Sequence, residues 1–380
     1  MPEPQSQSGD LIFVLNSGSS SLKFGVYRHN RSDEDTVLTG SADGIGRADG
    51  SLLIRSPSGE MNFKQSSVHE SQKHALSVVA KVVEQHLRVS PAAVGHRIVH
   101  GGPHLLAHQR ITPNLIETLT AAMHFAPVHI PQALNLIAAA QSTFPDAAQF
   151  ACFDDVFHHT MPEIAAHLPL PQRYYDAGVR RYGFHGLSYE SLVFQLRDKL
   201  PSRAIFAHLG NGASLCALRD GLSIDTTMGL TPTGGIPMSS RTGDLDPGVI
   251  LYLLRTENLT ADQIEDLINH RSGLFGLSSG ESDVKALEER ANAGDAPGRL
   301  ALDIFITAVR KTIGAYTALL GGIDLLVLTG GIGQHSDYVR SRVTTGLDFL
   351  GLTADKIRVI PPQEELQIAR HCRRLMAHPQ

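Results

Sequence analysis

Cysteine is scarce in this chain. Only three occur in 380 residues, Cys152, Cys216 and Cys372, and they show no paired spacing. A disulfide framework is therefore excluded. The three read as buried thiols outside any disulfide, in a reducing, cytoplasmic compartment. No apolar run approaches the roughly 18 residues of a membrane-crossing helix, so no membrane partner is expected. Positive charge is also not in excess. A net charge of -5 argues against a nucleic-acid surface, and a substrate anion would need a few local positive groups. A GxxxxGK(S/T) phosphate loop is missing, and no GxGxxG follows a strand. There are 19 histidines but no HExxH and no Cys/His cluster. His158 and His159 are adjacent and cannot easily share a metal from one helix face. Residues 1–10, MPEPQSQSGD, lack a basic segment followed by an apolar one. They read as a disordered tail and not as a signal peptide.

What is present is ordinary globular material with one unusual loop. A hydrophobic fraction of 42% and a charged fraction of 19% fit a soluble globular protein, and the length suggests two domains. The loop runs from Gly229 to Gly248, GLTPTGGIPMSSRTGDLDPG. Its glycines and prolines forbid a helix or a long strand. It carries one arginine, Arg241, among Ser239, Ser240, Thr242 and Asp244. A long loop with one guanidinium suits anion binding, because arginine grips a carboxylate or phosphate with two parallel hydrogen bonds. A solvated turn with a structural arginine is the competing reading.

A strand pattern recurs along the chain. LIFVL (Leu11 to Leu15) leads through NSGSSS into LKFGVY. AIFA (Ala204 to Ala207) leads through HLGNGAS into LCAL, an Asp220-Gly221 turn and SIDTT. The repeat predicts a duplicated domain with one glycine/serine turn per half. A third strand-to-glycine unit is LLVLTGGIG, Leu325 to Gly333. Helical periodicity marks Ser71 to Leu87, Pro131 to Gln141 and Leu300 to Leu320. The amphipathic stretch after Glu364 is expected to return to the first domain. Alternating strands and helices give an α/β class. The expected division is 11–154 plus 365–380 for one domain and 155–364 for the other.

Several residues stand out chemically. The glycine/serine turns can aim backbone N–H groups at phosphate oxygens, with Lys23 just past the first. GHRIVHGG sets Arg97 on an apolar strand, where it needs an anion, either a substrate or a structural carboxylate. YGFHG sets His185 in an apolar loop, as a catalyst or as a satisfied core residue. Asp154 ends an apolar segment and is a helix N-cap as readily as a metal carboxylate. Asn16 closes the first strand. Two arginines, a histidine, an aspartate and glycine turns together point to phosphoryl transfer, which depends on positioning and charge stabilisation.

The ordered set LNSGSSSLKF, GHRIVHGG, APVHIP, FDDVFHHTMP, RRYGFHG, HLGNGAS, RTGDLDP, TGGIG and EELQIAR resembles the acetate kinase family, from about Leu11 to Arg370. The resemblance implies a two-domain actin-like ATPase (ribonuclease H-like) fold with a duplicated βββαβαβα core. The implied reaction is reversible transfer from ATP to acetate, giving acetyl phosphate and ADP. Propionate or another short-chain acid is the alternative acceptor, and a non-catalytic nucleotide-binding protein of the same fold is a further reading. The implied metal is Mg²⁺, with Mn²⁺ as alternative, held by Asn16 and Glu364. Nucleotide contacts fall on Lys23, on His208, Leu209, Gly210, Asn211 and Gly212, on Asp283, Val284 and Lys285, and on Gly331, Ile332, Gly333, Gln334 and His335. Arg97 and Arg241 match the arginines for carboxylate and phosphoryl, and His185 the transition-state stabiliser. His129 matches a supporting histidine and Asp154 the catalytic aspartate. Val99, Val128, Phe184 and Pro232 match an apolar pocket for the methyl group. A homodimer is implied. The sequence departs from the family at SSRTGDLDP, at Gly234, at Gln334 and His335, at Asp283-Val284-Lys285, and at FHGLSY, where FHGTSH is usual.

Overall fold

The apolar run LIFVL becomes the central strand of a sheet because its side chains are covered on both faces. The computed structural model describes residues 11–18, 20–30, 33–59, 61–127 and 129–378. The expected tail at 1–10 and the pocket residue Val128 lie outside the described residues. The chain divides into two units, Met1–Val156 with Gln363–Gln380, and Phe157–Pro362.

The first unit holds strands Leu11–Ser17 (β1), Ser21–Asn30 (β2), Asp33–Asp43 (β3), Ser51–Arg55 (β4), Asn62–Ser66 (β5), Ala93–Ile98 (β6), Gln109–Arg110 (β7) and Ala148–Phe153 (β8). They form one sheet in the order β5-β4-β3-β2-β1-β6-β8-β7. Strands β1 to β5 meander antiparallel, while β6 lies parallel to β1, and β8 parallel to β6. The second unit holds Arg203–Leu209 (β9), Ala213–Arg219 (β10), Leu222–Thr226 (β11), Leu325–Thr329 (β12) and Ile357–Val359 (β13). Their order is β11-β10-β9-β12-β13, with β12 parallel to β9 and β13 parallel to β12. The run β3-β2-β1-β6-β8 therefore repeats in order and sense as β11-β10-β9-β12-β13. This is the duplicated α/β core that the twin hairpins imply.

Local sequence explains the connections. Asp220 and Gly221 both take positive φ, 52° and 79°. That conformation suits the tight turn between β10 and β11, and Asp-Gly is its preferred pair. The helix Gln72–Leu87 is capped by Ser71, whose side chain accepts from the His74 amide. Val79, Leu76 and Val83 of that helix join Phe13, Leu15 and Phe24 in the core of the first unit. The long helix Ala296–Leu320 starts at an Asp295 cap with proline in its first turn. It ends at Gly321 in the left-handed conformation. The C-terminal helix Glu364–Ala377 packs on β1 and β6. Gly95 makes room for it: a Cβ there would lie 2.6 Å from Ile368 Cγ2 and 2.7 Å from Cys372 Sγ.

The division differs from the expected one at both crossings. Asp155, Val156, Gln363 and Glu364 fall with the first unit. Asp155 accepts the Gly101 amide at 2.9 Å, and Asn16 donates to Glu364 at 3.2 Å, so these carboxylates are tied to first-unit strands and loops. None of the three cysteines forms a disulfide, and all are buried. Among the described residues no helix is long and apolar enough to cross a membrane.

A buried histidine in β6 makes the first unit acid-sensitive. His96 Nε2–H donates to Gln149 Oε1 at 2.8 Å across to β8. Burial lowers its pKa from 6.5 to about 4. The folded ring stays neutral while the unfolded one protonates. Its contribution is thus full above pH 6.5 and is lost as pH falls toward 4, about 3 kcal/mol in all. His96→Gln should lose stability less steeply over that window in urea titrations. An unchanged slope would assign the acid sensitivity to other groups.

Candidate active site

In the first unit three parallel strands deliver polar side chains at their carboxyl ends, where ligands of open α/β sheets bind. Asn16 lies at the end of β1, Arg97 near the end of β6, and Asp154 just past β8. The strands are neighbours in the order β1-β6-β8, so the three side chains meet. Arg97 pairs with Asp154 through Nη2 and Oδ2. Arg97 Nη1 donates to Asn16 Oδ1 at 3.4 Å. Asn16 in turn donates to Glu364 at 3.2 Å and to Glu365 at 2.8 Å, both in the first turn of the C-terminal helix.

Three carboxylates and one guanidinium thus share a mostly buried space. Burial raises the Asp154 carboxyl above the usual range; the Arg97 guanidinium opposes this and Glu364 adds to it. Asp154 Oδ1 is buried without a hydrogen-bond partner. The oxygens of Asp154, Asn16 and Glu364 are of the kind that a hard cation takes. Lys23 on β2 sits opposite Asn16 in the antiparallel register and is exposed. Val99 follows β6, and His129 opens the helix His129–Thr143.

The second unit builds its cluster around the β9–β10 turn. His208 and Leu209 end β9, and Gly210, Asn211 and Gly212 form the turn. Thr329 of β12 lies beside His208 in parallel register. The glycine turn and the segment Gly330–His335 therefore adjoin. A Cβ on Gly210 would lie 3.9 Å from the Gly331 amide nitrogen. Leu209 is fully buried and Val284 nearly so, and neither side chain is exposed. Asp283 caps the helix Val284–Asn292 by accepting from the Ala286 amide, and Lys285 is exposed beside it. That helix joins the glycine segment through a Ser336–Glu288 hydrogen bond. Gln334 turns back onto the Gly330 carbonyl at 3.1 Å, and His335 is exposed.

His185 and Arg241 converge in front of Gly212. A Cβ on Gly212 would lie 3.1 Å from His185 Nε2 and 3.5 Å from Arg241 Nη1. His185 holds a left-handed backbone, φ 59°, at the cap of the helix Gly186–Leu196. Such a conformation costs about 1–2 kcal/mol for a residue with a Cβ and must be enforced. The enforcing bonds flank it. His158 Nε2–H donates to the Phe184 carbonyl at 3.0 Å, and the Tyr189 amide donates to the His185 carbonyl at 3.0 Å. Phe184 is buried beneath this turn. Arg241 rides the Gly229–Gly248 loop, which is irregular until the helix at Pro247, as its composition requires. The loop is pinned by Ser272, Leu274 and Phe275 amides bonded to the Ser240, Met238 and Ser239 carbonyls. Arg241 Nη1 donates to the Pro232 carbonyl at 3.2 Å.

Four supporting residues escaped the sequence reading as site members: Ser188, Tyr189, Ser214 and His158. Ser188 and Ser214 each hold a ring nitrogen, of His208 and His185, at 2.8 Å. The small hydroxyls in FHGLSY and HLGNGAS were the available signal, but nothing local pairs them.

Twin βββαβαβα cores with glycine turns at their strand ends, and a guanidinium and imidazole aimed at one gap, define the class: a phosphotransferase of the actin-like ATPase fold. A model of the acetokinase family matches residues 11–370. An acetate kinase of Methylocella silvestris is 37% identical over 392 residues, covering 95% of this chain and 96% of that protein. One of Clostridium botulinum is 36% identical, covering 96% and 99%. The crystal structure of Porphyromonas gingivalis acetate kinase is similar with a TM-score of 0.85 at 31% identity, covering 97% and 100%. A propionate kinase from Francisella tularensis is similar with a TM-score of 0.87 at 32% identity, covering 95% and 98%. The chain belongs to the acetokinase family and is a phosphotransferase with a carboxyl group as acceptor.

Arg241 should matter for rate and not for folding, since its guanidinium faces the Gly212 gap. Arg241→Ala is expected to lower kcat about 10²–10⁴-fold, the range for lost charge stabilisers. Lysine should rescue only partly, because it lacks the planar fork. Near wild-type turnover in a folded alanine variant would remove Arg241 from the mechanism.

Proposed function

We propose that this chain catalyses reversible, Mg²⁺-dependent transfer of the ATP γ-phosphoryl group to acetate, giving acetyl phosphate and ADP by direct in-line transfer. The observation that carries the reading is the convergence of His185 Nε2 and Arg241 Nη1 on the gap at Gly212. Two donors beside a glycine turn suit an oxygen that gains charge during transfer. A carboxylate oxygen of acetate attacks phosphorus, and the bond from phosphorus to the ADP oxygen breaks. Simple carboxyls titrate near pH ~4–5 by analogy with glutamate, so the nucleophile is already ionised and no proton need be removed.

Asp154 is therefore assigned to the metal and not to base catalysis. Its partnerless Oδ1, with Asn16 and Glu364, fits a cation that takes few protein oxygens. Bound Mg²⁺ would neutralise charge on the phosphate oxygens. Arg97 is already held by Asp154 and Asn16, which fixes its direction for an anionic substrate. His208 to Gly212 and Gly331 to His335 are assigned to the nucleotide. Asp283 to Lys285 are assigned there too. Phe184, Pro232, Val99 and Val128 are assigned to the methyl group, with His129 in support.

A second acceptor is favoured by one residue. Val128 stands where the family usually has leucine, and valine carries one methylene fewer. The similarity to a propionate kinase supports the same reading. One methylene in an apolar pocket is worth about 1–3 kcal/mol of discrimination. Hydroxamate trapping of acyl phosphate, with ATP and acetate, propionate or butyrate, tests both readings. Acetate should react, propionate within about tenfold of it in kcat/KM, and butyrate poorly. Chelating Mg²⁺ should stop the reaction. No trapped product from any of the three acids would overturn the proposal, and rejection of propionate by more than about a hundredfold would overturn the second reading.

A further inference from the structure

We propose that Tyr189 and Ser214 are positioning residues that keep the proton of His185 on Nε2, the nitrogen that faces Arg241 and Gly212. The proposal rests on the phosphoryl-transfer reading for its consequence, and on geometry for its substance. Tyr189 Oη lies 2.5 Å from Ser214 Oγ, and Ser214 Oγ lies 2.8 Å from His185 Nδ1. A phenol is a stronger acid than an aliphatic alcohol, and an imidazole nitrogen is a good acceptor for an alcohol. The chain orders itself accordingly. Tyr189 O–H donates to Ser214 Oγ, and Ser214 O–H donates to His185 Nδ1. Each donation strengthens the next, as in other hydrogen-bonded chains. With Nδ1 accepting, the neutral ring carries its proton on Nε2. That proton then points at the gap where the phosphoryl oxygens would sit.

The surroundings single out the hydroxyl. The Tyr189 ring is fully buried and packs against Phe157, His158 and Phe206. Phenylalanine would fill that volume without bringing a polar group into the core, where a hydroxyl must find a partner. Tyr189 also stands one turn after His185, and its amide donates to the His185 carbonyl at 3.0 Å. One residue thus holds the backbone of His185 directly and its ring through Ser214. The adjacent Ser188 does the equivalent for His208, at 2.8 Å from Nδ1. The two imidazoles stack with centroids 4.3 Å apart and planes 15° apart, so fixing one ring restrains the other. Tyr189 stands where the FHGTSH motif has histidine.

The test uses Tyr189→Phe, Ser214→Ala and the double variant. Nitrogen-15 NMR of the imidazoles reads the tautomer, with His185 assigned by loss of its signals in His185→Asn. Steady-state kinetics with ATP and acetate read the consequence. In the unmodified enzyme His185 should be protonated at Nε2. Tyr189→Phe should mix the tautomers and lower kcat about tenfold, the worth of one hydrogen bond, with both KM values within about threefold. The double variant should be no slower than the slower single one, because both break one chain. The proposal is overturned if wild-type His185 carries its proton on Nδ1, if Tyr189→Phe leaves tautomer and kcat unchanged, or if the two losses multiply. Ser214→Ala carries the same test should Tyr189→Phe not fold. An enzyme that makes no acyl phosphate would defeat the functional reading alone, since the tautomer is read without turnover.

Discussion

The gap in front of Gly212 sets the terms for everything around it in the second unit. A methyl group there would come within 3.1 Å of His185 Nε2 and 3.5 Å of Arg241 Nη1. Glycine lets a ring nitrogen and a guanidinium both come close to the turn. The neighbouring structure holds these two groups still. His185 is forced into a left-handed turn by bonds on either side of it, and Arg241 is carried by an irregular loop bonded along its backbone to residues 272 to 275. Such strain and loop ordering cost stability, and they are tolerated where preorganised charge is needed.

The first unit solves a different problem with the same sheet topology. Carboxyl ends of β1, β6 and β8 gather Asn16, Arg97 and Asp154, and the C-terminal helix adds Glu364 and Glu365. A carboxylate pair with a guanidinium satisfies itself in part, but one Asp154 oxygen is left over in a buried space. That remainder sets the cluster apart from a finished salt bridge. The C-terminal helix can reach this place because Gly95 lets it lie against β6.

Much of this was legible in the residues, for reasons that can be named. LIFVL, AIFA and LLVL became β1, β9 and β12 because continuous apolar runs suit strands covered on both faces. Asp220-Gly221 became the hairpin turn because only such pairs adopt two positive φ values cheaply. The loop from Gly229 stayed irregular as far as Asp246, as its prolines and glycines require, and the helix Pro247–Arg255 takes its last two residues. The supports behind the site were not legible. Ser214 lies 29 residues from His185, and Ser223, whose hydroxyl lies 2.8 Å from His158 Nδ1, lies 65 residues from it; no periodicity links such pairs. A buried hydroxyl also looks, in sequence, like any small strand residue. The burial of Leu209 and Val284 was hidden too, since a motif match says nothing of which residues are exposed.

The most direct test is the turnover of Gly212→Ala. Gly212 has no positive φ, so alanine meets no backbone strain there and a folded protein is expected. The added methyl would crowd His185 Nε2 at 3.1 Å and stand 3.5 Å from Arg241 Nη1, taking up the space beside both. If that space receives the phosphoryl oxygens, kcat should fall by about a hundredfold or more, with the thermal midpoint little changed. A folded Gly212→Ala enzyme that turns over within about threefold of the unmodified one would contradict the account, because the convergence of the two donors would then be incidental to catalysis.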